Sequence, residues 1–503
     1  MSEVAKEVSA PLAKPAVYDL RSALDLLKTT PGQLVETDVE VDPSAELAGV
    51  YRYVGAGGTV ARPTKAGPAM IFNNVKGHPD AKVAIGLLAD RKRVGMLLGE
   101  KPENLGKLLR NSVKNPIQPI VVGKEKAQCQ EVVHYVTDPD FDIRKLVPAP
   151  TNTPEDAGPY ITLGMCYASD TETGESDVTI HRLCLQSKDE ITMFFTPGAR
   201  HLGTFRERAE ALGKPLPISI SIGVDPAIEI ASCFEPPTTP IGFNELSIAG
   251  AIRGKAVELV PCLTIDEKCI AHAEYVIEGE LVVGRRMRED INTNTGKAMP
   301  EFPGYTGPAN PEVPVIKVKA VTTRKNPIMQ TCIGPSEEHV SMAGIPTEAS
   351  IFDMVEKAMP GRLLNVYAAS PGGGKFLAVL QFKKGVPSDE GRQRQAALLA
   401  FSAFPELKQV ILVDEDVDIF DLKDVMWAMV TRMQGDVDII NIPGVRCHPL
   451  DPSNDPTCSY TIRDHGIACK TIFDATIPYS EKHRFHRAAF KEVDPKHWLP
   501  DFE

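Results

Sequence analysis

Between about residues 115 and 330 the chain is cut into short β-branched runs, among them Ile218-Ser-Ile-Ser-Ile-Gly-Val224, Ala273-Glu-Tyr-Val-Ile-Glu278 and Val315-Ile-Lys-Val-Lys-Ala-Val321. Turns rich in Pro and Gly separate them, so the pattern predicts an antiparallel sheet or barrel. The flanks differ. Residues 19–27 have helical spacing, and Asp42-Pro43 is placed to open another helix, with Asp as N-cap and Pro in the first turn. That makes the N-terminal region α+β. From about residue 345, helix-like stretches at 389–404 and 422–433 enclose an apolar strand at 409–413, which predicts an α/β end with some parallel pairing. A chain of 503 residues exceeds what one hydrophobic core supports. The expected division is a loose arm over 1–17, an α+β domain over 18–115, a central domain over 116–330 and a C-terminal α/β domain over 331–503. Proline-rich breaks near 147–159 and 300–314 carry aromatic and acidic residues and read as active-site loops rather than flexible linkers.

Composition removes several classes of function. The formal charge is -12, from 55 basic and 67 acidic side chains, and no basic tract interrupts it, which argues against a nucleic-acid surface. The start, Met-Ser-Glu-Val-Ala-Lys, lacks an apolar core of signal-peptide length, and no stretch approaches the roughly 18 apolar residues of a membrane helix. A cytoplasmic protein without membrane contact is expected. Ten cysteines without a CxxC pair fit reduced, buried thiols better than a zinc site or a disulfide framework.

Chemistry concentrates around Ser176-Asp-Val-Thr-Ile-His-Arg182, Arg200-His201 and Asn244-Glu245. Asp177, His201 and Glu245 form a hard-cation ligand set with an imidazole added, suited to manganese or magnesium. Arginines beside a divalent ion are a means of holding a phosphate-bearing cofactor near an anionic substrate. Asp177 and Arg182 would point to opposite faces of a regular strand, so they serve one site only if the strand bends, bulges or ends between them.

Four motifs in order, Ser176-Asp-Val-Thr-Ile-His-Arg182, Ala298-Met-Pro-Glu-Phe-Pro-Gly-Tyr305, Gly334-Pro-Ser-Glu-Glu-His339 and Val413-Asp-Glu-Asp-Val-Asp-Ile-Phe-Asp421, resemble the UbiD family of prenylated-flavin decarboxylases, most closely its gallate and protocatechuate decarboxylase branch. The resemblance runs over nearly the whole chain. It implies an N-terminal α+β domain, a central antiparallel split-barrel domain that binds flavin, and a C-terminal α/β domain active in oligomerisation. It also implies prenylated FMN made by a separate flavin prenyltransferase, a manganese or magnesium ion, potassium as a further candidate ion, a homo-oligomer (dimer or hexamer), and a small accessory subunit as a further candidate partner.

By the same resemblance, Asp177, His201 and Glu245 are the metal ligands that clamp the cofactor phosphate. Many relatives carry Asn at the first position, so Asp177 adds a negative charge that should tighten the metal and weaken direct phosphate contact. Thr179, Ile180, His181 and Arg182 line the flavin, and Arg200 contacts flavin or phosphate. Arg182 with two carboxylates forms the catalytic set. Glu301 matches the proton donor; Glu289 is the choice for the second acid, with Asp290 as its rival, because Arg288-Glu-Asp-Ile-Asn-Thr-Asn-Thr-Gly296 departs from the family's usual string. His339, Lys375 and His448 match positions near the substrate or cofactor and are the substrate-binding candidates, and imidazoles can hydrogen-bond or deprotonate ring hydroxyls. The implied reaction is reversible, non-oxidative decarboxylation of a polyhydroxylated benzoic acid, with gallate and protocatechuate the leading substrates. A non-catalytic flavin-binding or assembly subunit is the alternative, and a metal-dependent hydrolase a third reading.

Two further motifs carry less. Pro371-Gly-Gly-Gly-Lys375 lacks the phosphate-loop spacing and has Phe376 where a hydroxyl should sit. The acids Asp414, Glu415, Asp416, Asp418 and Asp421 follow an apolar strand and precede a helix, where Asp421 is a natural N-cap.

Overall fold

The structure, a computed structural model, describes residues 15–196, 200–457 and 466–500. Residues 1–14 of the expected arm therefore lie outside the described residues; Val17, near its end, is buried.

The β-branched runs form one nine-stranded antiparallel sheet. Its path runs Tyr160–Ile161, Leu183–Leu185, Glu190–Met193, Val313–Thr323, Tyr275–Met287, Leu216–Ile222, Gly164–Ser169, Ser176–Ile180, and Val132–Tyr135 adds to Val313–Thr323. No pairing joins the two ends among the described residues, so hydrogen bonds do not close a barrel. Covalent links bring the ends together instead. Ser176–Ile180 ends one edge and Leu183–Leu185 lies next to the other, yet only His181 and Arg182 separate them. Thr162 and Leu163 make a second crossing, from Tyr160–Ile161 to Gly164–Ser169. Two residues span at most roughly 11 Å, which forces the sheet to curl. The curl encloses Cys166, Leu183, Ile191, Ile220, Ile277 and Ile316 in a single buried cluster.

A four-stranded sheet lies on the N-terminal side: Leu34–Thr37, Ala69–Phe72, Lys82–Ile85 and Ile328–Thr331, paired parallel, antiparallel and parallel in turn. Its last strand comes from the far end of the central region. Asp19 caps the helix Leu20–Lys28, accepting from Ser22 N–H. The helix expected at Asp42-Pro43 starts later, at Glu46. Asp42 accepts from Ser44 N–H at 2.9 Å, a local turn rather than a helix cap. Ala45 sits at φ 67 with its N–H on Thr151 O, a tertiary contact that outweighs the local signal.

The C-terminal sheet, Leu363–Ala368, Leu377–Phe382, Gln409–Val413, Ile467–Ala475 and Ile439–Arg446, has two parallel pairs at its centre and antiparallel edges. The mixture agrees with the alternation of its sequence. The helix anticipated over 389–404 is Arg392–Ala403, because Gly391 at φ 86 breaks the chain just before it. Asp421 caps Leu422–Arg432 as anticipated. The acidic run is occupied by cations of the fold: Arg432 meets Asp414 at 3.1 Å and Asp416 at 2.7 Å. The long helix Glu337–Ala358, most of it buried, runs from the central region into this domain. Among the described residues nine cysteines are free, and only Cys469 of these is exposed. No helix among the described residues is long and apolar enough to cross a membrane.

Ile220 lies at the centre of the curled sheet with no exposed surface. Its replacement by Ala should lower stability by about 2–5 kcal/mol, seen as a fall in the unfolding temperature by calorimetry, with the far-ultraviolet dichroism of the folded protein unchanged.

Candidate active site

The crossing at His181-Arg182 is held from both sides. Phe194 N–H donates to Arg182 O, His181 Nδ1 donates to Phe194 O at 2.9 Å, and the Arg182 guanidinium lies 4.0 Å from the Phe194 ring centre. The strand ends between Asp177 and Arg182, as a shared site requires. Arg182 then points at two carboxylates. Its Nε and Nη2 donate to Glu289 Oε1 and Oε2 at 2.9 and 2.8 Å, and its Nη1 donates to Glu301 Oε1 at 2.6 Å.

The two acids are differently placed. Glu289 also accepts from Tyr160 OH at 3.0 Å and Asn310 N–H at 3.0 Å, and Gln186 Nε2 donates to its backbone carbonyl at 2.7 Å. Every lone-pair direction that matters is taken, so it is fixed as an acceptor. Glu301 has one strong partner and faces a cavity. Burial pushes its proton affinity up against the pull of Arg182. Asp290 is elsewhere: it accepts from Gly296 N–H at 2.7 Å and pairs with Arg288 at 2.9 Å, closing its own turn.

Asp177 from Ser176–Ile180, His201 at the start of His201–Ala211 and Glu245 just before Leu246–Arg253 each bring a ligand atom within 4.8 Å of the others. All are buried. Glu245 is pushed well above the ordinary carboxylate range by burial and then by Asp177. Burial opposes the charge of Asp177 as well, but hydrogen bonding from Glu245 and the nearby His201 hold it below its ordinary value. Glu245 Oε2 has no partner. Two buried carboxylates, one imidazole and a spare oxygen fit a hard divalent cation.

The cavity is lined by Ile180, His181 and Arg182 on the central side and by His339, Lys375 and His448 from the C-terminal side. His181 is neutral, its pKa drawn down to about 4 by burial, and its Nε2 is buried without a partner. Thr179 lies behind this wall, its Oγ1 likewise unpartnered. The imidazole nitrogen is a free acceptor and the hydroxyl can donate or accept, which fits a bound heterocycle. Arg200 pairs with Glu235 at 2.7 Å and also lines the cavity.

The chain belongs to the UbiD family of carboxy-lyases. Residues 25–112, 120–337 and 340–475 match, in order, the N-terminal, Rift-related and C-terminal domains of 3-octaprenyl-4-hydroxybenzoate carboxy-lyase. It is a homologue of gallate decarboxylase of Lactiplantibacillus plantarum, 57% identical over 95% of this chain and 97% of that one. An apo 3,4-dihydroxybenzoic acid decarboxylase structure from Enterobacter cloacae superposes with TM-score 0.92 at 60% identity, covering 96% and 99% of the two chains. An evolved dimeric form of the UbiD-class enzyme HmfF from Pelotomaculum thermopropionicum, in complex with prFMN, superposes with TM-score 0.80 at 32% identity, over 94% and 97%.

Sequence reasoning missed Tyr160, Asn310, Phe194, Glu235 and Glu406, all of which touch the functional groups above. Each lies outside the motifs, although Asn310 falls within the 300–314 break read as an active-site loop, and Phe194 meets Arg182 across the hairpin of Leu183–Leu185 and Glu190–Met193. Phe302 stood inside a motif without a role; its ring stacks on His339 at 5.4 Å.

Two substitutions probe the geometry. A Cβ at Gly307 would meet Glu301 Cγ at 3.0 Å and Arg182 Nη1 at 3.5 Å. Gly307→Ala should therefore keep the unfolding temperature but displace Glu301 and cost about 10-fold or more in kcat, misplacements at a reacting group being expensive. Tyr160→Phe removes one donor to Glu289 and should lower kcat with little change in KM, measured by carbon dioxide release.

Proposed function

We propose that this protein is a reversible, non-oxidative decarboxylase of hydroxylated benzoic acids, with gallate and protocatechuate as leading substrates and prenylated FMN with manganese or magnesium as cofactors. The observation that carries this reading is the Glu289–Arg182–Glu301 row, opening on a cavity walled by Phe302, His339 and His448, in a chain 57% identical to a gallate decarboxylase. Asp177, His201 and Glu245 would hold the metal, with Arg200 beside them for a phosphate group, and Ile180, His181 and Arg182 would face the flavin with Thr179 behind them. When bound, the flavin supplies the electron sink that no side chain provides.

The chain's own residues handle the proton. Glu301, raised by burial, favours its protonated form more than a free glutamate does, and it gives that proton to the ring carbon that carbon dioxide leaves. Arg182 Nη1, already on Glu301 Oε1, steadies the carboxylate left behind. Glu289, held by Tyr160 and Asn310, fixes the guanidinium in place. An intact row of this kind counts against a non-catalytic subunit. A flavin prenyltransferase would supply the cofactor. Exposed Met426 and Val430 on Leu422–Arg432 support self-association, as a dimer or hexamer.

Protein matured with a prenyltransferase should release carbon dioxide from gallate and protocatechuate. Glu301→Gln should keep the flavin absorbance and lose about 10²–10⁴-fold in kcat. Because the acid form of Glu301 is the active one and its pKa is raised, wild-type kcat should decline as pH climbs past a value above that of an ordinary glutamate; a profile flat through that range would remove Glu301 as the donor. Glu245→Ala should lose both bound metal and flavin, read by elemental analysis and absorbance.

A further inference from the structure

The C-terminal side of the cavity carries a carboxylate that neither the metal cluster nor the Arg182 row employs. Glu406 lies in the turn between Arg392–Ala403 and Gln409–Val413 and lines the cavity. Its Oε2 accepts from Lys375 Nζ at 2.7 Å, and its Oε1 stands 3.5 Å from His448 Nε2.

The wiring of His448 decides what that imidazole can do. Leu450 N–H donates to His448 Nδ1 at 3.0 Å, so Nδ1 is the acceptor nitrogen. Burial and then Lys375 draw the pKa of His448 well below its usual value. The ring is therefore neutral, with its proton on Nε2, 3.5 Å from Glu406 Oε1. On that side His448 is a donor. His339 is neutral too, drawn down to about 3 by burial and then Lys375; its unpartnered Nδ1 can receive a hydrogen bond. Lys375 only donates, and Glu235 is tied to Arg200.

We propose that Glu406 is the catalytic base for the ring hydroxyl of the substrate, with His448 and Lys375 as the donors that orient it. This rests on the hydroxybenzoate decarboxylase reading above. The substrate O–H bond breaks and its proton passes to Glu406 Oε1. The bonding pair moves into the ring, raising electron density at the carbon that bears the carboxylate. Once carbon dioxide has left and Glu301 has protonated that carbon, the pair returns to oxygen and Glu406 gives the proton back. Nothing is oxidised or reduced. Phe302 joins the two ends of this traffic: it follows Glu301 in the chain, and its ring lies 4.8 Å from that of His448. Both carboxyl groups thus line the same cavity.

The test uses flavin-loaded protein and 4-nitrocatechol, whose ionised form has its own visible band, at a pH below the free probe's ionisation. Wild type should bind the probe and show the catecholate band. Glu406→Gln should bind it without the band and lose about 10²-fold in kcat on protocatechuate, with an unchanged unfolding temperature, while Glu406→Asp restores part of both. His448→Asn should keep the band. The proposal is overturned if wild type shows no band, if Glu406→Gln retains the band and wild-type kcat, or if His448→Asn alone abolishes the band. Failure of the underlying reading looks different: wild-type holoenzyme would release no carbon dioxide from either acid, whatever the probe shows.

Discussion

Two residues, His181 and Arg182, carry the chain from one edge of the nine-stranded sheet to a strand beside the other. So short a link cannot span a flat sheet of that width, since strands lie about 4.8 Å apart. The sheet must curl, and the point where its edges face each other without pairing becomes the place where functional groups collect. Ile180, His181 and Arg182 line the cavity there. Thr162, on the companion crossing, accepts from Cys332 N–H at 2.9 Å and meets Thr331 at 3.1 Å, which ties the curl to the N-terminal sheet.

Burying so much charge is costly unless each group finds a partner. The cavity solves this by sharing. Arg182 serves Glu289 and Glu301, and Lys375 lies between Glu235 and Glu406 at 3.3 and 2.7 Å. The Asp177, His201 and Glu245 group is left with a surplus of acid, which is why it suits a cation. Glu289 is saturated with donors, whereas Glu301 has one and faces the cavity. A single guanidinium thus sits between two chemically identical side chains in different surroundings.

The sequence carried local information well. β-branched runs, the Asp421 cap and the strand at 409–413 were all legible, because residue type and spacing within a few positions set them. Where a tertiary contact competes, local reading fails: Ala45, bonded to Thr151, delays a helix that Asp42-Pro43 would start alone. Likewise, Glu289 and Asp290 are neighbours that spacing cannot separate; only the approach of Arg182 and Tyr160 distinguishes them.

Sequence by itself determined the types of element, the acids and imidazoles available for chemistry, and the need for the strand to bend, bulge or end between Asp177 and Arg182. The tertiary structure alone decided that the central sheet curls without closing, that Ile328–Thr331 completes the N-terminal sheet, and that Glu406 faces His448. The reason is physical. Propensity and capping act over a few residues, whereas a cavity wall is assembled by packing and pairing between segments hundreds of residues apart, and no local pattern encodes which of them will meet.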